Sequence, residues 1–368
     1  MNTDLKDIIP NFQFEGVFVS ASIYGSGHIH DTYVVVFQTG GDTRRYILQR
    51  INHYVFRDPE GVMRNIQLVT THLRRKIIAA GGDPQRETLN LIPTRDGNIY
   101  YRTDAGDYWR GYAFIEGART YDFAENPDYV YNAAKAFGNF QNMLSDLPSE
   151  QLVETIPNFH HTGLRYQAFL VAVDNDVAKR ARFCQPEIDF VNKRAGMTSI
   201  LTDMLANAEA PERVTHNDTK FNNVMIDDQT GEGICIVDLD TVMPGLSLYD
   251  FGDAIRSIAN TAAEDETDLS KVNFDREVYR YYSHGYLDAA GEILTHREIE
   301  QMPFSAILMT LECGIRFLTD HLQGDIYYKI HRQNHNLDRC RTQFKLVRDM
   351  EEQFDQMTEI IEKYRQER

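Results

Sequence analysis

The hydrophobic period of this chain changes near Gly117, and that change limits the folds open to it. Ahead of Gly117 the apolar residues come in short alternating runs bounded by turn residues, the pattern of strands. Beyond it they recur every three or four residues, as on helices. The chain therefore reads as α+β, with a β-rich unit over residues 1–117 and a mainly helical one over 118–368. A length of 368 residues agrees with two units, because single cores stop growing at about 250–300 residues.

In the first unit FEGVFVSASIY and TYVVVFQ, a GGD turn and RRYILQR read as strands, the last two as a hairpin. Residues 60–79 place Val62, Ile66, Val69, Leu73 and Ile77 at helical spacing ahead of a Gly-Gly-Asp-Pro stop. LNLIPTRDGNIYYR and DYWRGYAFIE return to strand, so the predicted order is strand, strand, helix, strand, strand. The second unit shows helical patterns over 129–147, 159–175, 189–206, 275–295 and 297–322, interrupted by one β insertion, VMIDDQTGEGICIVD. From Leu337 onward Cys340, Phe344, Val347, Met350, Phe354, Met357, Ile361 and Tyr364 follow at three and four spacing. They predict one long amphipathic helix, either lying on its own domain or forming a dimerising coiled coil; monomer and dimer both stay open.

Charge excludes two partner classes. With 38 Lys plus Arg against 55 Asp plus Glu, the net charge of −17 repels phosphate backbones and anionic lipid, so neither nucleic acid nor a membrane surface is expected. The start has acids among its first residues and no apolar core of a signal peptide, and no segment reaches transmembrane length by eye, which leads us to expect a cytoplasmic protein. Cys184, Cys235, Cys313 and Cys340 are scattered, without zinc or redox spacing, and read as reduced. The close pairs His160-His161 and His331/His335 read as solvated rather than as zinc ligands.

The chemistry concentrates in residues 216–223, HNDTKFNN, between the strand-like runs ERVT and VMID. A loop that only turned the chain would favour Gly, Pro or Asn-Gly, and this one has none of them. Phosphoryl transfer to a hydroxyl needs a carboxylate to take the proton, oxygen ligands for Mg²⁺ and positive charge on the moving group. Asp218, Asn223 and Lys220 supply those three types. Asp238, at the end of ICIVD on the second strand of the hairpin, is placed to face the loop and share the ion with Asn223. Asp240, two residues on, is its rival for that position, and the DFG of LYDFGDAIRS reads instead as a helix start, with Asp250 an N-cap and Asp253 an acid in the first turn.

These features resemble the aminoglycoside phosphotransferase and choline kinase superfamily, relatives of the protein kinases. The resemblance rests on H-x-D-x-x-x-x-N in HNDTKFNN, on VDLD after the hairpin and on the order of a β-rich lobe, a connector and a helical lobe. It implies a bilobal protein-kinase-like fold, ATP and Mg²⁺ as cofactors, Asp218 as catalytic base, Asn223 and Asp238 as metal ligands and Lys220 directed at the γ-phosphate. His216 would support the loop.

YGSGHIHDTYVVV puts Gly25 and Gly27 between two strands, either as a plain hairpin turn or as a loop covering phosphates. GYAFIEGA resembles the family's hinge, in which the backbone of Phe114, Ile115 and Glu116 would meet adenine; otherwise it is a buried strand end. The chain departs from ordinary kinases where a third-strand Lys belongs, since YILQRIN offers Gln49, with Arg50 on the other face, and the following helix has no Glu beyond Glu60. Either Arg50 reaches the phosphates through a twisted strand, or the Lys role passes to Lys220 and the metal.

A closer resemblance, to N-acetylhexosamine 1-kinases, runs through GSGHIHDTYVV, YILQRIN, NFHHTGLRYQAF, HNDTKFNNVM, VDLDTVMPG, YDFGDAIR and GIRFLTDHLQGDIYYK. It shares the missing Lys and implies a sugar acceptor held by Asp218, Arg316 and Tyr327, with His28 and His30 directed at either sugar or phosphates. Arg316 has a structural alternative, pairing with Glu312 one turn earlier. Other readings are a kinase of the same fold acting on choline-like alcohols or free hexoses, a nucleotide-binding pseudokinase and, more remotely, a metal hydrolase.

Overall fold

The computed structural model describes residues 5–25, 29–123 and 126–366. After the short helix α1 (Leu5–Ile8), strands β1 (Val17–Ile23), β2 (Asp31–Thr39) and β3 (Asp42–Ile51) form an antiparallel meander. Helix α2 (Pro59–Ala79) follows, then β4 (Leu91–Ile92), β5 (Tyr101–Arg102) and β6 (Tyr108–Ala113). The sheet order is β1-β2-β3-β6-β4, with β5 pairing β6. The three runs read as strands thus all precede the helix, one more than the order strand, strand, helix counts. LNLIPTRDGNIYYR is mostly loop, because Pro93 lacks an N–H for a ladder and the Asp96-Gly97 turn folds Thr94 back on Asn98.

Asp58 caps α2 by accepting from Gly61 N at 2.9 Å, Pro59 opens the helix, and Gly81 (φ 81°) follows its end. The buried face of α2 joins the core of the helical region, whereas Ile8, Phe12, Phe14, Val35, Phe37, Leu48 and Trp109 make a separate small core on the other side of the sheet.

Beyond Gly117 come β7 (Ala118–Arg119), α3 (Pro127–Leu144), α4 (Thr162–Asn175), α5 (Gln185–Asn192), α6 (Ile200–Ala206), β8 (Arg213–Thr215), β9 (Val224–Asp227), β10 (Gly233–Ile236) and β11 (Met243–Gly245). Helices α7 (Ser247–Ile258), α8 (Arg276–Ala290), α9 (His296–Gln323), α10 (His335–Glu352) and α11 (Phe354–Gln366) complete the chain. The expected hairpin is β9–β10, extended by β7. Gly138 and Gly285 let α3 and α8 pack closely, since a Cβ on Gly138 would meet Tyr286 O at 2.7 Å.

Three expectations are corrected. The run 189–206 is two helices parted by a 3-10 turn at Ala195–Met197, where Gly196 interrupts the apolar stripe. The C-terminal stripe is two helices, because the chain leaves helical geometry at Gln353; that break turns Met357 and Ile361 into the same core as Leu337 and Phe344. The stripe is therefore covered by its own domain. Finally, α9 is long and apolar enough to cross a membrane, but most of its apolar window is buried, as the central helix of the lobe.

Candidate active site

HNDTKFNN is suspended from helix α7. Asp250 accepts the His216 N–H at 2.9 Å and the Asn217 N–H at 2.7 Å, and Asp253 accepts the Thr219 N–H at 3.1 Å. The structure gives Leu246, not Asp250, at the helix cap, so these two acids brace the loop rather than cap the helix. Asn217 holds a left-handed backbone (φ 64°), which asparagine tolerates, and donates to Thr241 O at 2.9 Å. Buried His216 donates from Nε2 to Val237 O at 2.9 Å, tying the loop to the strand end that carries Asp238. Burial pushes the Asp250 carboxyl above its ordinary value, despite the amides it receives.

On that scaffold Asp218 and Lys220 face each other, Oδ1 to Nζ at 2.8 Å. Burial alone would raise the Asp218 carboxyl, but Lys220 and His216 outweigh it and hold the group below its usual range, ionised at neutral pH. Asn223 donates Nδ2 to Asp218 O at 2.8 Å, and this leaves its Oδ1 on the opposite side of the amide as an open hard-oxygen ligand. Asp238, in a left-handed conformation (φ 60°), is solvent-exposed; the crowding of surrounding chain, with the charges of Asp240 and Asp218, raises its carboxyl to about 7. The donor set of Asn223 and Asp238 fits Mg²⁺, which takes oxygen ligands.

Asp240 is disposed differently. It is buried, and both its oxygens are taken: Arg110 grips Oδ1 through one Nη and Oδ2 through the other at 2.7 Å, while His30 Nε2 reaches Oδ2 at 3.0 Å. The Arg110 charge and the hydrogen bonds from Arg110 and His30 hold it well below the usual carboxylate range against the opposing effect of burial. Although ligand atoms of His30, Asp238 and Asp240 lie within 4.8 Å of one another, Asp238 is the acid of the three left accessible.

In the first lobe Gly25 has a positive φ of 77°, while Gly27 and His28 lie outside the described residues. His30 is not directed at a ligand: its Nδ1 accepts the Asn52 N–H at 3.0 Å, so Nε2 carries the proton and donates to Asp240. Gln49 is likewise engaged at both ends, giving Nε2 to Thr32 at 2.8 Å and accepting Arg110 Nε at 2.8 Å. Arg50 turns to the outer face and pairs with Asp31 and Asp107, which removes it from the phosphate question. In the segment expected to act as the hinge, Ile115 is buried, the Phe114 N–H donates to Arg45 O at 3.2 Å and Glu116 O accepts from Arg86 at 3.1 Å. Any adenine contact falls to the remaining backbone groups of the segment.

A second polar cluster lies beyond Asn217. His160 bridges Asn217 O (3.1 Å) and Glu312 (2.8 Å), and Thr162 also donates to Glu312. Glu312 is thereby satisfied without Arg316, which instead lies over the Phe159 ring at 5.1 Å and makes no ion pair among the described residues. Among the described residues Arg165 donates only to Phe159 O, and burial together with the Arg316 charge lowers its proton affinity. The other nearby acids are occupied: Asp320 accepts the N–H groups of Ile326, Tyr327 and Tyr328, and Asp325 pairs with Arg180. Tyr327 stands 60% exposed, its ring open to a ligand. Sequence reasoning missed Arg110, which carries no local signal, and gave no role to Arg165 within NFHHTGLRYQAF; His160, expected in solvent, is buried between Asn217 and Glu312. His335, expected in solvent, is buried against Asp265.

Against known proteins, residues 20–292 match the model of the phosphotransferase enzyme family. Among solved structures the chain is similar to a microcompartment-associated aminopropanol kinase at 12% identity and TM-score 0.57, covering 96% of this chain and 98% of that one. A choline kinase from Cryptosporidium parvum Iowa II gives 15% identity and TM-score 0.56, with 95% and 97% covered. A spectinomycin phosphotransferase in complex with ADP and spectinomycin gives 16% and 0.52, with 98% of both chains covered. At such identities the likeness is one of fold, and the family match spans most of the chain. The chain belongs to the phosphotransferase enzyme family, with the bilobal α+β fold of its aminoglycoside phosphotransferase and choline kinase-like members.

Proposed function

We propose that this phosphotransferase moves the γ-phosphoryl group of ATP to the C1 hydroxyl of an N-acetylhexosamine, giving the sugar 1-phosphate. The nucleotide sits between the 1–117 and 118–368 lobes, under the loop of Gly25 and against the hinge. Asp218 accepts the proton of the sugar hydroxyl as its oxygen bonds to the γ-phosphorus and the bond to the β-phosphate oxygen breaks, releasing ADP without a phosphoenzyme. Lys220, beside Asp218, offsets charge on the transferring group. Mg²⁺, when bound by Asn223 and Asp238, supplies charge neutralisation at the phosphates.

The observation that carries the choice of acceptor is the charge of its end of the cleft. Among the described residues neither Arg165 nor Arg316 forms an ion pair there, and Glu312, the acid nearest to both, is spent on internal contacts, as are Asp320 and Asp325. An amino alcohol or aminoglycoside brings positive charge, which two unpaired guanidiniums repel. A 2-acetamido sugar brings neutral hydroxyl and carbonyl acceptors for their forks of donors and a ring face for Tyr327.

Phosphorus NMR of the protein with MgATP and N-acetylglucosamine, N-acetylgalactosamine, glucose or choline tests this. A new resonance coupled to an anomeric proton, formed from the N-acetyl sugars, is the expected result; transfer to choline or glucose alone overturns the acceptor. Arg316→Ala is expected to raise the sugar KM about 10- to 100-fold, with the ATP KM unchanged, as loss of a charged hydrogen-bond donor predicts.

A further inference from the structure

Where kinases of this type place a third-strand lysine and a helix glutamate, this chain has Gln49 and an α2 without a matching acid. The structure puts a different ion pair in the same neighbourhood. Gln49 lies directly across the ladder from Arg110 and, on its other side, from Thr32, so Thr32, Gln49 and Arg110 form a hydrogen-bonded row over β2, β3 and β6. Arg110 ends that row, and its guanidinium grips both oxygens of Asp240, which belongs to the other lobe. The pair is almost wholly buried, at 3% and 2% exposure of the two side chains, so Arg110 has no route to a phosphate. Its charge is committed to Asp240.

Asp240 is two residues from Asp238, with Leu239 buried between them, and Asp238 occupies a backbone conformation that non-glycine residues rarely adopt. Such a conformation persists only where the surroundings over-determine it. Its surroundings here are the His216 bond to Val237 O on one side and the Arg110 and His30 bonds to Asp240 on the other. We infer that Arg110 is a positioning residue: through Asp240 it fixes the turn that presents Asp238 to the metal, and it couples that turn to the sheet of the nucleotide lobe. The fastening that elsewhere joins strand to helix is here made between strand and metal segment. This inference rests on the reading of Asp238 as a metal ligand.

The test measures Mn²⁺ binding in the presence of AMP-PNP, by electron paramagnetic resonance of the free ion, beside the Mg²⁺ dependence of turnover. Asp238→Asn, Arg110→Gln, Arg110→Lys and Asp240→Asn are compared with the parent chain. Arg110→Gln is expected to weaken Mn²⁺ binding and raise the Mg²⁺ half-saturation about 10- to 100-fold, the range found when groups that orient metal ligands are removed. Affinity for metal-free ATP should stay within about threefold, and Arg110→Lys, which keeps the charge but not the fork, should recover part of the loss. The double variant Arg110→Gln/Asp240→Asn should bind Mn²⁺ better than Arg110→Gln alone, because it leaves no unpaired buried charge. Unchanged Mn²⁺ binding in Arg110→Gln, with Asp238→Asn losing it, overturns the positioning role and leaves the metal reading standing. Retained Mn²⁺ binding in Asp238→Asn overturns both. Should Arg110→Gln fail to fold, Arg110→Lys and Asp240→Asn carry the same comparison, and equal Mn²⁺ affinity in both overturns the role.

Discussion

The loop HNDTKFNN and strand β1, which leads to Gly25, are held in opposite ways. Around HNDTKFNN, Asp250, Asp253, Thr241 and Val237 each accept a hydrogen bond from the loop, and these groups are mostly buried. Strand β1, which runs into Gly25, leaves six of its seven residues exposed, Val17 and Ile23 most of all. A base that must meet a hydroxyl at hydrogen-bond distance gains from over-determined geometry. A strand that only carries a cover over a nucleotide has no such need, and as a sheet edge it packs on one neighbour.

The comparison breaks most sharply at Asp218. Asp218→Asn is expected to lower kcat about 10³-fold, the scale of a lost general base, with Tm moved by no more than about 2 °C; steady-state kinetics and calorimetry read the two. Retained turnover would remove the base from the loop and with it the reason for the bracing. Asp250→Ala separates bracing from chemistry, since Asp250 touches no reacting atom. Loss of its acceptor oxygens should cost about 100-fold in kcat through misplacement of Asp218 and about 3 kcal/mol of stability by chemical denaturation.

Glu298 extends the contrast to pH. It closes the capping box of α9 with Thr295 and pairs with Arg213 at 2.8 Å; burial opposes its charge, but Arg213 and the Thr295 N–H hold the carboxyl below its ordinary 4.5. Because the folded pKa is depressed, its contribution is full above about 4.5 and is lost as the pH falls through the folded value. Glu298→Gln should therefore unfold more easily than the parent by about 2–3 kcal/mol at pH 7, with the gap closing below the glutamate range, as urea titrations across pH would show. The smallest effect belongs to the other wall: Val17→Ser should change stability by less than about 0.5 kcal/mol, and a larger loss in the same titration would mean that β1 is anchored by contacts its exposure does not reveal.

Much of the fold is legible in the chain. The β2–β3 and β9–β10 hairpins follow from alternation and turn residues, and α2 from its 3.6 period, its Asp58-Pro59 start and its double-glycine stop. The failures share a cause. The stripes over 189–206 and from Leu337 onward keep their spacing through a break, because apolar residues on both sides of a bend can still reach one core. Around the site, HNDTKFNN and VDLD stand out in the chain because acids, a cation and an amide come there at short spacings. Gln49 and His30 looked available for ligands, yet their partners Arg110 and Asp240 lie far along the chain.

The change of period at Gly117, the polar loop HNDTKFNN ahead of its hairpin and the order of acid, cation and amide within that loop can all be read from the chain, since each is a local pattern with a local physical cause. Tertiary structure alone decided which charges are spent and which remain. Arg110 and Asp240 are 130 residues apart, and Asp250 meets the loop across 33 and 34 residues. A buried charge must take whatever partner the packed chain brings within reach, and spacing along the chain carries no record of that distance.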